Sequence, residues 1–178
     1  MEHPIHKVIG KCINSNVFPN CKIIKDPACG GRHNVPLFCS RRRSIETVYC
    51  NVDLLIIKDN RIRVIIEIEE TAAEPTRVCG KFLASALSLY FIHESQNNVP
   101  IKMSDTVTFI QIVGPPQSKK SSMPKQWENL EESINKILPI KESKIRKYIL
   151  LYGSVSDFEN RDSHKCTELV TNIEEALR

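Results

Sequence analysis

The chain has 178 residues, 41% of them hydrophobic and 26% charged, with a formal net charge of +4. This is the balance of an ordinary globular protein, and the length suits one domain, residues 1–178, with a sizeable core. No apolar run reaches the length of a membrane span and no secretory signal pattern opens the chain, so a cytoplasmic protein without membrane contact is expected.

The predicted elements follow in chain order. Ile5, Val8, Ile9, Cys12 and Ile13 have the spacing of a helix with one buried face. Residues 21–25 read as a short strand, ended by Asp26-Pro27 and by an exposed Gly30-Gly31 loop. Residues 35–39 form a further extended piece. Two strands, 51–57 and 62–70, flank a tight turn at 58–61; their near-continuous Val, Ile and Leu predict central strands covered on both faces. Residues 76–93 are predicted as an almost wholly apolar helix. A strand over 106–113 ends at Gly114-Pro115-Pro116, and a basic, Ser-rich loop covers 117–125. An amphipathic helix over 127–138, a strand over 148–152 and a helix over 167–177 close the chain.

Charge is uneven. Residues 1–44 hold eight Lys or Arg against Glu2 and Asp26, a net of +6, which leaves −2 for the rest. Such a basic segment beside an acidic site suits a phosphate-rich partner, although short basic runs also simply solvate a surface. Seven cysteines, an odd count without a signal peptide, argue against a disulfide scaffold. Cys21, Cys29, His33 and Cys39 match no common zinc spacing, and mostly buried thiols are expected.

The central hairpin carries the chemistry. Asp53, Glu67 and Glu69 are embedded in strands that are otherwise apolar. A buried unpaired carboxylate is costly, so it neutralises, pairs or binds a metal. Glu67 and Glu69 lie two apart on a strand and share a face, and Asp53 comes from the neighbouring strand. Convergent carboxylates make the oxygen-rich site that Mg²⁺ prefers. The register decides whether they converge. A two-residue turn at Asp59-Asn60 sets Asp53 opposite Ile66, on the wrong face. A three-residue turn, or a bulge with the same effect, sets Asp53 opposite Glu67, and that register is predicted.

Val52-Asp53 followed by Glu67-Ile68-Glu69 resembles the motif of the PD-(D/E)xK nuclease superfamily in its Glu-x-Glu variant. Val52 replaces the usual Pro and Glu69 the usual Lys. The resemblance implies an α/β, restriction-endonuclease-like fold: an αβββαβ core with a mixed central sheet flanked by helices, plus an extra C-terminal strand and helices. It implies a hydrolase using one or two Mg²⁺ ions, held by Asp53, Glu67, the Ile68 carbonyl and Glu69, and cutting double-stranded DNA. A type II restriction enzyme acting as a homodimer is the first expectation. A Holliday-junction resolvase, a repair nuclease, or an inactive nucleic-acid-binding module are the alternatives.

Lys81, in the predicted helix after the hairpin, is the candidate to replace the missing lysine; its bland alternative is snorkelling to solvent. Arg41, Arg42, Arg43, Lys119 and Lys120 are candidate phosphate contacts. Asp53 paired to one of those arginines in a structural ion pair is the bland reading of the hairpin. Glu46 and Glu70 are weaker candidates, with Glu70 on the face opposite Glu67.

Overall fold

β-Branched residues dominate the middle of the chain, and in the computed structural model they form the centre of an eight-stranded mixed sheet. The structure describes residues 3–70, 74–115, 123–160 and 162–178. Helix α1 (Pro4–Cys12) is followed by strands β1 (Lys22–Lys25), β2 (Val35–Phe38), β3 (Val48–Val52), β4 (Leu54–Lys58) and β5 (Arg61–Glu69). Then come α2 (Pro75–Ala86), β6 (Tyr90–Phe91), β7 (Ile101–Val113), α3 (Met123–Ile137), β8 (Ile145–Tyr152), α4 (Val155–Glu159) and α5 (His164–Leu177).

The strand order is β1-β4-β5-β7-β6-β2-β3, with β8 also paired to β7. The long β7 is shared: its first residues pair with β6, and Val107 onward pairs with β8. β5–β7 and β7–β8 are parallel and every other pairing is antiparallel.

Alternation along the strands sorts the core into two layers. Leu55, Ile57, Ile65, Phe109 and Tyr148 pack under Val78 and Phe82 of α2 and Trp127 and Ile134 of α3. Leu54, Ile56, Val64, Ile66, Ile68 and Ile110 pack under Ile5 and Ile9 of α1, Phe158 of α4 and Leu169 and Ile173 of α5. The expected mixed sheet between helices is thus present. α1 also approaches α5 through the buried Cys12 and Cys166 sulfurs, 2.8 Å apart.

Three features depart from the sequence reading. The segment expected as one strand, 51–57, breaks at Asp53. Val52 pairs with Val35 of β2, whereas Leu54 pairs with Lys25 of β1 and Ile66 of β5, so the chain changes partners at Asp53. The helix expected to reach residue 93 ends at Ala86. Phe91 pairs instead with Leu37 and Ile101, and Tyr90 with Phe38 and Lys102. An apolar run has no period that separates helix from strand. Leu83 and Leu87 are accordingly not buried but 47% and 51% exposed. The short helix α4 and the early start of β7 also went unpredicted, because neither segment carries a clear period.

The hairpin reaches the predicted register by the second route. Asp59 and Asn60 have φ of 52° and 56°, the left-handed pair of a two-residue turn. The pairing then slips between Ile56 and Ile57, where Arg63 is extra, and ends with Leu54 opposite Ile66. The pairing ends there, because the chain changes partners at Asp53, and the Asp53 carboxylate meets His6 of α1 and the Ile68 N–H.

Candidate active site

The site forms where β5 emerges from the sheet at its C-terminal end. Glu67 and Glu69 point to the α2 face and are only 2% and 3% exposed. α2 begins at Pro75, a residue suited to the first helical position, and carries Arg77 and Lys81 four residues apart on one face. Lys81 Nζ meets Glu67 Oε1, and lies 2.8 Å from Glu69 Oε1. Arg77 Nη2 lies 3.0 Å from Glu69 Oε2. Lys81 therefore does not snorkel away from the sheet; it reaches back to both strand carboxylates.

Asp53 sits at the change of partners, and its carboxylate bends over the end of β5. Oδ2 accepts a hydrogen bond from the Ile68 N–H at 2.6 Å, and Oδ1 lies 3.5 Å from His6 Nε2. Its ion-pair partner is thus His6, and not one of Arg41–Arg43. Glu70 leaves the opposite face, as expected, yet it is no ordinary surface charge. It accepts from the backbone N–H groups of Ile5 at 3.2 Å and His6 at 3.0 Å, and its Oε1 is 2.7 Å from His6 Nδ1. The N-cap residue of α1, His3, makes no side-chain cap bond, so Glu70 caps that helix from another strand.

Electrostatics follow from burial. Desolvation, reinforced by the charge of Asp53, pushes the Glu67 carboxyl up to about 8, and Lys81 offsets only part of this. Burial alone would lower the His6 imidazole, but hydrogen bonds and charges from Asp53 and Glu70 outweigh it and raise it to about 9. Lys81 is likewise raised, burial being outweighed by Glu67 and Glu69, and it stays an ammonium.

The floor of the site is polar and incompletely satisfied. Gln111 of β7 pairs with Glu67 in register, is fully buried, and accepts from the Tyr148 hydroxyl at 2.9 Å. Gln111 Nε2 and Glu67 Oε2 are buried without a hydrogen-bond partner. Such atoms mark places for water, an ion or a substrate group. At the rim, a Cβ on Gly114 would stand 2.1 Å from the Glu70 carbonyl oxygen, so only glycine lets β5 and β7 end this close together.

Asp53, Glu67, Ile68, Glu69 and Lys81 are thus brought to one end of β5. Arg41, Arg42 and Arg43 are not. They are exposed on the β2–β3 connection, where Arg43 pairs with Glu94 and Arg41 lies over the Tyr90 ring. Arg41 shares a pocket with Asp59, Asn60 and Arg61 at the turn end of β5, roughly 20 Å along the strand from Glu67. Glu46 is exposed on the same connection. Lys119 and Lys120 lie outside the described residues. Among the described residues, one group of metal-ligating side chains has its ligand atoms within 4.8 Å of one another: His3, His6 and Glu70. Neither Cys21, Cys29, His33 and Cys39 nor the expected metal ligands Asp53, Glu67 and Glu69 form such a group: Lys81 stands between the two glutamates, and the Asp53 carboxylate turns to His6 and the Ile68 N–H.

Sequence reasoning passed over His6, Arg77 and Gln111. His6 was legible as a titratable residue three positions from Ile9 on the buried stripe, and Arg77 as the residue one turn before Lys81. Gln111 gave no signal beyond being a lone polar residue in an apolar strand. In comparisons with protein-family models, curated proteins and solved structures, nothing matches this chain.

Proposed function

We propose that the chain is a Mg²⁺-dependent deoxyribonuclease with a restriction-endonuclease-like, PD-(D/E)xK-type fold. The observation that carries this reading is the Lys81 ammonium held between two buried strand carboxylates, Glu67 and Glu69, with Asp53 bonded to the Ile68 N–H between them. An acid from one strand, an acid pair on the next and a lysine beside them are the parts that phosphodiester hydrolysis needs. The order of elements supports it as well: α1, the antiparallel β4–β5 hairpin, then α2 leading back to β7 parallel to β5.

The donor chemistry, carboxylate and carbonyl oxygens, is that of a hard cation, although these acids are not drawn together as a three-residue cluster. Asp53, Glu67 and the Ile68 carbonyl would hold it, with Glu69 available to a second ion, and the orphaned Glu67 Oε2 is a free oxygen donor. When bound, the metal polarises the scissile phosphate and lowers the pKa of an attacking water. To hold a cation, Glu67 would have to give up the proton that burial favours on it. Lys81, released from Glu67, offers its charge to a non-bridging phosphate oxygen where negative charge develops. Glu69, kept in place by Arg77, orients the water. Arg77, exposed at the rim, meets the DNA backbone.

The substrate is double-stranded DNA, and a type II restriction enzyme acting as a homodimer is the form we favour. One chain carries one such set of acids, so breaking both strands takes two copies. A second reading has an observation of its own. Lys81 and Arg77 already neutralise both buried glutamates, which is how an inactive DNA-binding module would settle its acids.

Incubation of plasmid and linear duplex with Mg²⁺ or with EDTA tests the proposal. Discrete fragments that require Mg²⁺, and that vanish with Asp53→Asn and Glu67→Gln, are expected. Cleavage confined to branched DNA identifies a junction or repair nuclease. DNA binding with no Mg²⁺-dependent cleavage identifies the inactive module and overturns the enzyme.

A further inference from the structure

Beside the carboxylates, on the other face of the sheet, three side chains of different chemistry converge. His3 and His6 lie at the start of α1, three residues apart and so on one side of the helix, with their rings 5.1 Å apart edge to face. Glu70 comes from the end of β5 and faces both. One ligand atom from each lies within 4.8 Å of the others. His3 Nδ1 is shielded from solvent yet has no hydrogen-bond partner.

We infer that His3, His6 and Glu70 form a second metal site, built for a borderline transition-metal ion such as Zn²⁺, on the opposite face of the sheet from Glu67 and Glu69 and joined to them only through Asp53.

Two imidazole nitrogens and one carboxylate oxygen are a three-ligand set that leaves a fourth position open. Mg²⁺, which prefers oxygen and its own waters, does not compete well for it. The orientation of His6 is the strongest support. Its Nε2 faces Asp53 Oδ1 at 3.5 Å while its Nδ1 faces Glu70 at 2.7 Å. A carboxylate accepting from one ring nitrogen fixes the tautomer whose other nitrogen takes a metal, so an ion entering here displaces the proton that His6 Nδ1 shares with Glu70. Asp53 is therefore a positioning residue for this site. Ligand atoms about 2.1 Å from a tetrahedral ion stand about 3.4 Å apart, so His6 and Glu70, now 2.7 Å apart, need to separate by about 0.7 Å, and atoms as far as 4.8 Å apart to close by about 1.4 Å. Glu70 also accepts from two N–H groups of α1, so its place is fixed before any metal arrives. The bound ion would tie the first turn of α1 to the end of β5. This inference holds whether or not the chain cuts DNA.

The full-length chain, stripped with EDTA and dialysed, is titrated with Zn²⁺ in the presence of excess Mg²⁺. One Zn²⁺ per chain is expected. His3→Ala weakens binding by about a hundredfold or more, and Asp53→Asn by about ten- to a hundredfold. Glu67→Gln leaves Zn²⁺ binding unchanged. His3 makes no cap bond, so His3→Ala retains the fold, checked by circular dichroism. Co²⁺ at the same site gives a spectrum without thiolate charge-transfer bands. Absence of stoichiometric Zn²⁺, unchanged affinity in His3→Ala, loss of affinity in Glu67→Gln, or a cobalt–thiolate spectrum would each overturn the site.

Discussion

At the scale of single residues, the site is governed by how two buried carboxylates are satisfied. Glu67 lies beside Asp53 and under Lys81, and its pKa is pushed up to about 8. Metal binding must displace that proton. The Mg²⁺ concentration giving half-maximal cleavage should therefore fall about tenfold for each pH unit up to about 8, then level off. A flat profile below that pH would remove Glu67 from the ligand set. Lys81→Met should lower cleavage by about 10²–10⁴-fold, the range for removing a transition-state charge partner. Its cost in stability should stay within about 3 kcal/mol, the low end for breaking a buried pair. The reason is that Glu67 can hold a proton and Arg77 remains on Glu69. Single-turnover cleavage and urea unfolding check the two parts. Glu69→Lys should be inactive in either background if Glu69 orients water or binds a second ion. Activity regained in Glu69→Lys with Lys81→Met would instead assign Glu69 no role at the metal.

At the scale of elements, α1 and the hairpin decide whether the acids meet. α1 is docked through His6, whose pKa of about 9 lies above its ordinary value of 6.5. Its stabilisation is fully present below 6.5 and is lost as pH rises through about 9. Glu67, raised from 4.5 to about 8, acts in the same direction: the fold retains a proton that the unfolded chain has lost. With chelator present, stability should fall between these pH values, by up to about 1.4 kcal/mol per pH unit per proton. His6→Gln should flatten the part of the slope above pH 8, measured by urea melts. In the hairpin, Arg63 is the extra residue of the bulge, and its guanidinium donates to the Ala176 carbonyl at 2.8 Å. Deleting Arg63 leaves Ile56 opposite Val64 and Leu54 opposite Ile66, and hence Asp53 at the end of β5. The deletion variant should keep cleavage and lose about 1 kcal/mol, the worth of that hydrogen bond. A dead but folded variant would show that the bulge itself aims the acids.

At the scale of the whole molecule, the acids and the basic run of Arg41–Arg43 occupy opposite ends of β5. Arg42 is too far from Glu67 to touch the scissile phosphate. Arg42→Ala should weaken DNA binding across all sequences and reduce the log–log salt slope by about one, while bound DNA is still cut at the normal rate. Arg77→Ala, at the rim of the site, should change both the slope and the rate. Filter binding over a salt series with single-turnover cleavage separates the two.

Much of the fold was legible because hydrophobic pattern is local. The Ile- and Val-rich run of β5 required a strand buried on both faces, and Glu67 and Glu69 within it required partners or a metal. Alternation put both on one face, and Lys81 stood out as the only cation after Arg77 in an apolar helix. Tertiary structure decided what local pattern does not encode. The pairing slip at Arg63, and not a longer turn, set Leu54 opposite Ile66 and so brought Asp53 to the end of β5, since a register depends on both strands at once. The end of α2 at Ala86 depended on β2 and β7 claiming Tyr90 and Phe91. His6 reached Asp53 and Glu70 because α1 packs across residues far from it in the chain. The sequence by itself therefore determined which side chains are too costly to bury alone; the packing of α1 and α2 against the two faces of the sheet determined which partner each of them found.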